Sequence, residues 1–470
     1  MTETTRFKAI NAGNIDRLPQ WQALDPELQR AVRVVATVLP FRTNHYVVDQ
    51  LIDWDNLPAD PIFQLTFPQR GMLSEEDFET MAALVDSGAE RTVLEEAANS
   101  IRSTLNPHPA GQMTHNVPEF ECAPVDGIQH KYRETVLFFP NRGQTCHAYC
   151  TFCFRWAQFV GPKELRFGTD DTELVGSYLA AHPEVTDVLI TGGDPLIMKT
   201  RVLRRYIEPL LKIDHLTSIR IGSKAVAYWP QRFVTDDDAD DLLGLFEEIV
   251  AAGKHVALMG HYSHPVELGT DIAQDAARRV VSTGTNIRMQ SPVLRHINAD
   301  PEIWADLWRR GIQLGLVPYY MFVVRDTGAR AYFEVPLAEA QTIFRRAYRQ
   351  VSGLARTVRG PSMSATPGKI RVAGTAQVSG KKVFVLEYLQ ARAPERVAVP
   401  FFAEFDENAT WFDQLRPIRE ADQWLFDDSV TRHHQKDEVP TPVQIMRRPG
   451  PVDSRPDRPK RSPSSVRTEK

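Results

Sequence analysis

Between residues 134 and 350 the hydrophobic and polar positions follow one repeating scheme. A short apolar run rich in β-branched residues is followed each time by a longer stretch with apolar positions three and four apart. The runs are Glu134 to Pro140, then 185–191, 217–223, 255–260, 285–291 and 314–323. The helical spacings lie near Asp171 to Ala181 and at 199–212, 238–252, 270–283, 301–311 and 336–350. Apolar strands alternating with amphipathic helices predict right-handed βαβ crossovers and a parallel sheet buried on both faces. The predicted class is α/β, as a partial barrel or a long open sheet, and such folds gather their chemistry at the C-terminal ends of the strands.

The flanking pattern differs. Pro26 to Val38 and Glu75 to Leu105 carry helical spacing, separated by the Pro-rich segment Asn56 to Pro61, so residues 1–130 are predicted as a helical lead-in. Residues 131–355 form the predicted core, and 356–433 an extension. In that extension two apolar runs flank Ser379-Gly380 as a β-hairpin. The last 25 residues hold five prolines, eight basic and three acidic side chains and no aromatic, so 434–470 is predicted disordered.

Composition narrows the function classes. A hydrophobic share of 42% with 24% charged residues is ordinary for a soluble globular chain. A net charge of −5 with scattered basic residues argues against nucleic acid as a partner. The N-terminus lacks a signal-peptide pattern and no long apolar run suggests a membrane span, which predicts a cytoplasmic protein.

Three of the four cysteines sit within eight positions, at Cys146, Cys150 and Cys153. Three thiolates can hold three irons of a [4Fe–4S] cluster and leave the fourth iron open to a small molecule. A structural zinc site normally has four ligands; Cys122 is distant in sequence, and His147 adjoins Cys146 too closely to reach the same metal easily. A disulfide framework does not suit a chain this long. Zinc or a redox thiol are the competing readings of the triplet. Thr191-Gly192-Gly193-Asp194 ends the second strand, where glycines let a ligand approach the backbone and a carboxylate can receive an ammonium, though the same residues also make an ordinary turn. His261 and His264 are candidate metal ligands or plain hydrogen-bonding residues.

The CxxxCxxC spacing after a first strand, with Phe152 before the third cysteine and the glycine-rich turn one repeat later, resembles the radical S-adenosylmethionine (SAM) superfamily. His130-Lys-Tyr132, Arg220 to Lys224, Pro230-Gln-Arg232, His261 to Pro265, Gln290-Ser291 and Pro318-Tyr-Tyr320 follow in order and narrow the resemblance to the lysine 2,3-aminomutase family, over residues 115 to 370. The resemblance implies a partial (β/α)6 barrel and an isomerase that exchanges an α-amino group with a β-hydrogen. It implies a cluster on Cys146, Cys150 and Cys153, SAM seated by Gly192, Gly193, Asp194 and Gln290, and an electron donor such as flavodoxin or ferredoxin. It further implies pyridoxal 5′-phosphate (PLP) on Lys369, in a glycine-rich loop, and Arg155 as binder of the substrate carboxylate.

Two departures carry information. Thr135 stands where the family's arginine for the PLP phosphate is expected; Arg133 is on the same strand face but displaced by about 7 Å. PLP would then be held differently or be absent. Arg325 and Ser362 stand where the family has two aspartates for the distal ammonium of lysine, and a guanidinium there inverts the charge preference. An acidic or neutral polar amino acid is therefore expected rather than lysine, although a one-residue shift would put Asp326 at the position of Arg325. The family's zinc-binding subunit contact is not expected, because no cysteine follows Cys153; a homo-oligomer is left open. The competing function is a radical-SAM enzyme of another reaction class, acting on a metabolite or peptide without PLP.

Overall fold

Eleven strands form one sheet in which each strand lies beside its neighbour in sequence. The computed structural model describes residues 7–107, 116–161 and 165–427; the tail predicted at 434–470 lies outside them. The longest helices that precede the sheet among the described residues are α1 (Pro26–Val38), α2 (Glu75–Asp86) and α3 (Arg91–Leu105). The stretch predicted as continuously helical from 75 to 105 is broken between α2 and α3, where Gly88 takes φ +66 and ends the first helix.

The sheet begins with β1 (Ile128–Tyr132) antiparallel to β2 (Thr135–Phe138). It continues in parallel through β3 (Asp187–Ile190), β4 (Ser218–Ser223), β5 (His255–His261), β6 (Asn286–Val293) and β7 (Val317–Val323). Helices α4 (Thr172–Ala180), α5 (Thr200–Leu211), α6 (Ala239–Ala251), α7 (Asp271–Ser282) and α8 (Pro301–Gln313) separate the parallel strands, and α9 (Leu337–Arg349) follows β7. Asp171, Thr270 and Asp300 accept backbone N–H bonds at the starts of α4, α7 and α8, a capping contribution of about 1 kcal/mol each.

Strand residues alternate between two environments. Val136, Val188, Ile190, Ile219 and Ile221 are fully buried against the helices, whose own stripes, such as Leu203, Ile207 and Leu210 of α5, meet them. The intervening positions include Asp187, Arg220, Arg288 and Gln290. One sheet face is thus the hydrophobic core and the other carries polar chemistry, a split that a reading of both faces as apolar did not anticipate.

Beyond β7 the chain continues in β8 (Arg359–Ser364), which also pairs in parallel with β7. Then β9 (Gly368–Val378), β10 (Lys381–Ala391) and β11 (Pro400–Glu404) pair antiparallel. Lys369, expected in a glycine-rich loop, is the second residue of β9 and is paired with Gln390, and Ser362 lies within β8. Among the described residues no helix is long and apolar enough to cross a membrane.

Candidate functional site

The cysteine loop leaves β2 and is clamped from two sides. The turn after β3 docks on it through the backbone, with Gly193 N–H donating to Gly143 O at 3.1 Å and Asp194 N–H to Thr145 O at 2.8 Å. A Cβ on Gly193 would lie 2.4 Å from the Thr145 carbonyl oxygen, and one on Gly192, which has φ +143, would meet the Gln144 side chain at 2.2 Å. Both glycines are required by this close approach of two backbones. From the N-terminal region, Arg42 O accepts from Tyr149 N–H at 2.8 Å and Leu65 O from Thr151 N–H at 3.0 Å. Arg42 Nη1 donates to Thr145 Oγ1 and Cys146 O, both at 3.1 Å. Arg42 was missed by sequence reasoning, because nothing local to it signals a loop a hundred residues away.

Asp194 is buried at the centre of this junction. Its carboxylate accepts from His147 Nε2 at 3.0 Å, Ser223 Oγ at 2.8 Å, Lys224 N–H at 2.9 Å and Leu196 N–H at 3.0 Å. Burial alone would push its pKa up, but the hydrogen bonds from His147, Lys224 and Ser223 hold it below the usual carboxylate range. Asp194 was expected to meet the ammonium of SAM; its oxygens are engaged by the protein, and it ties the cysteine loop to β3 and β4. His147, considered in the sequence only as a metal ligand, is the residue that makes this tie.

The three cysteines act on one another electrostatically. Burial pushes the Cys146 thiol well up, with Asp194, Cys153 and Cys150 adding to it, and burial pushes Cys150 up to about 12 and raises Cys153. Thiolates here need a strongly cationic partner, which is the chemistry of an iron cluster. Among the described residues no three His, Cys, Asp or Glu side chains converge on a single metal ion.

Beside the loop, Phe152 stacks on His261 at 5.8 Å, and His261 is the register partner of Gln290 on the next strand. Burial draws the His261 pKa down to about 3, so the ring is neutral at any working pH. Lys224 Nζ pairs with the buried Glu267 at 2.6 Å and donates to His261 O at 3.1 Å. His264 accepts from Val266 N–H at 3.4 Å as a cap. Buried polar atoms without a hydrogen-bond partner among the described residues include Gln144 Oε1, His147 Nδ1, His261 Nδ1, Arg325 Nε and Ser362 Oγ. A polar ligand would satisfy them.

Arg155 and Arg325 share one ring. Each guanidinium lies 5.3 Å from the centroid of Phe154, and Arg325 is also 5.8 Å from Trp411. Arg155 is only 8% exposed and donates no hydrogen bond to a carboxylate among the described residues. Burial, with the like charge of Arg325, lowers its pKa to about 10, so it stays charged at neutral pH. Asp326 forms an ion pair with Arg325 at Nε, at 3.6 Å, which is too long for a hydrogen bond.

Lys369 opens into a cavity of about 460 Å3 lined from the starts of the parallel strands, at Thr135, Asp187 and Ser218, to their middle, at Met259 and Tyr320, with its amine 4.3 Å from the centroid of Tyr320 and 5.7 Å from that of Phe322. Burial, then the charges of Arg220 and Arg359, lower its pKa to about 7. Below that value the ammonium predominates and cannot attack a carbonyl. Covalent capture of an aldehyde at Lys369 should therefore accelerate about tenfold per pH unit up to about pH 7 and level off above it. Borohydride fixation followed by mass spectrometry measures this; a rise continuing to pH 10 would mean an unperturbed lysine.

No family model matches the chain. It is 33% identical over 398 residues to a protein of Aquifex aeolicus named "Putative L-lysine 2,3-aminomutase", covering 84% of this chain and 93% of that one. It is 26% identical over 341 residues to the L-lysine 2,3-aminomutase of Bacillus subtilis, covering 73% of this chain and 62% of the relative. Against the crystal structure of Streptococcus suis SuiB bound to S-adenosylmethionine, identity is 12% over 60% of each chain with a TM-score of 0.33, too low a likeness to argue from.

Proposed function

Since the chain belongs to the radical-SAM lysine 2,3-aminomutase family, we propose that it is a PLP-dependent 2,3-aminomutase of an acidic amino acid. The observation that carries the substrate class is the pair of guanidiniums, Arg155 and Arg325, set on one ring, with no carboxylate among the described residues hydrogen-bonded to either and Asp326 meeting Arg325 only as an ion pair at 3.6 Å. Two such cations repel each other and are relieved by a dianion. An amino acid with a second carboxylate supplies it; lysine would add a third cation.

In this reading Cys146, Cys150 and Cys153 hold the cluster, and Gly192, Gly193 and Gln290 seat SAM beside it, with Asp194 as the residue that positions the loop. When bound, the cluster and SAM supply a hydrogen-abstracting radical, and PLP supplies a carbonyl carbon that carries nitrogen between adjacent carbons. Arg155 orients the α-carboxylate and Arg325, with Ser362 near by, the distal one. Phe152 and neutral His261 wall the space beside the cysteines and exclude water. Lys369 presents an amine that is about half uncharged at neutral pH and mostly uncharged above it. The same reading takes β2 to β7 as a partial (β/α)6 barrel at 131–355, residues 1–130 as the lead-in, and 356–433 as the lysine segment with its hairpin extension.

The test is anaerobic incubation of reconstituted protein with SAM, PLP, a reductant and a panel of amino acids. A β-amino product from glutamate or aspartate is expected. Preferred turnover of lysine would refute the acidic substrate. SAM cleavage with no β-amino product from any amino acid would place the enzyme in another reaction class.

A further inference from the structure

The cavity into which Lys369 opens has an excess of positive charge that the reaction centre does not use. Among the described residues Asp187 is its only lining acid, and that carboxylate is fully engaged: it accepts from Arg220 Nε at 2.8 Å, Ser218 Oγ at 2.7 Å and Thr135 Oγ1 at 3.0 Å. Arg288 of β6 and Arg359 of β8 also line it, and among the described residues neither pairs with a carboxylate. Two tyrosines place these cations relative to the lysine. Arg359 lies 4.7 Å and Arg288 5.7 Å from the centroid of Tyr319, while Arg359 Nη1 donates to Tyr320 Oη at 3.4 Å and Lys369 sits over that same Tyr320 ring.

Resting on the PLP reading above, we propose that Arg288 and Arg359 are the phosphate-binding residues of this chain, replacing the arginine absent at Thr135. Thr135 lines this cavity, so the lost side chain would have pointed into it. Arg133, the other substitute suggested by the sequence, is exposed in the turn between β1 and β2, its carbonyl 3.1 Å from His130 Nε2, and it does not line the cavity. The work of one arginine on β2 has moved to two guanidiniums across the sheet, each able to meet phosphate oxygens in bidentate fashion. The aromatic rings under Lys369 offer the faces against which a pyridine ring stacks.

Full-length protein is titrated with PLP and separately with pyridoxal, which lacks the phosphate; each sample is fixed with borohydride, and cofactor on Lys369 is counted by mass spectrometry. Wild type is expected to reach half-labelling with PLP at a concentration on the order of 10- to 100-fold lower than with pyridoxal. An Arg288→Met, Arg359→Gln double variant is expected to lose most of that ratio; losing the Arg359 charge makes Lys369 more basic and slows both labellings alike, so the ratio at one pH is the readout, and residual pyridoxal labelling reports an intact fold. Arg133→Gln should keep the ratio. If the double variant labels with neither compound, the single Arg359→Gln, at the exposed rim, decides by the same ratio. A ratio undiminished in these variants overturns the phosphate assignment and leaves the PLP reading standing. Wild type that labels Lys369 with neither compound overturns the PLP reading itself.

Discussion

An Asp194→Ala protein should melt well below the wild type and bind little iron. The substitution strands His147 Nε2, Ser223 Oγ and the backbone N–H groups of Lys224 and Leu196 in a buried site. Removing one partner from such a buried charged network costs about 3–5 kcal/mol, a large share of a typical stability of about 5–15 kcal/mol. The loss is also local, because His147 adjoins Cys146 and the Asp194 N–H is bonded to Thr145 O. Iron after anaerobic reconstitution should fall from about four per chain to a minor fraction of that. The pH dependence has a defined sign. A carboxylate whose folded pKa is depressed contributes stability above its unfolded value, near 4, and loses it as the pH falls through the lower folded value. The difference in melting temperature between variant and wild type should thus be full at neutral pH and shrink only in strong acid. A variant with wild-type melting and full iron would show that the network is dispensable.

The second large effect concerns substrate choice. For Arg325→Asp, losing a charged hydrogen bond costs about 1.5–3 kcal/mol, and the new carboxylate adds repulsion of similar size against an acidic substrate. We expect kcat/KM for that substrate to drop by at least about 100-fold. Amino acids with a cationic end should lose nothing and gain in relative terms. Side-by-side kcat/KM values for glutamate, aspartate, glutamine and lysine in both proteins provide the check. An unchanged order of preference would remove Arg325 from the substrate pocket and point to Asp326, one residue on, as the group that faces the substrate.

What could be read in advance divides along a physical line. Strand and helix positions through the repeats were legible because each helix buries a stripe and each strand an alternate row, as with Leu203, Ile207 and Leu210 above Ile219 and Ile221. The parallel strand β8 was not, because Gly360-Pro361-Ser362 has a loop's composition and becomes a strand only by pairing with β7. At the site, the cysteines were legible from spacing alone. The roles of His147 and Arg42 were not, since each acts on a turn or loop brought near only by folding. The two glycines were singled out for closeness to a ligand; the close neighbour observed is the cysteine loop itself. The shared use of Phe154 by Arg155 and Arg325 depends on residues 170 positions apart and had no local signal.

Strand order that follows chain order also sets a sequence of events during synthesis. Arg42, Leu65, the cysteine loop, Gly193, Asp194, Ser223, Lys224, His261 and Glu267 all precede residue 270, and the strands among them pair with neighbours already made. Chains emerge at about 5–20 residues per second and fold from the N-terminal side. The iron ligands therefore have all their contacts from β2 to β5 available well before Arg325, Arg359 and Lys369 leave the ribosome. On the proposed reading, metal ligation and pyridoxal binding would then draw on parts of the chain made at different times, with Trp156 and Phe152, through Thr327 and Phe333, tying the cysteine loop to the later part.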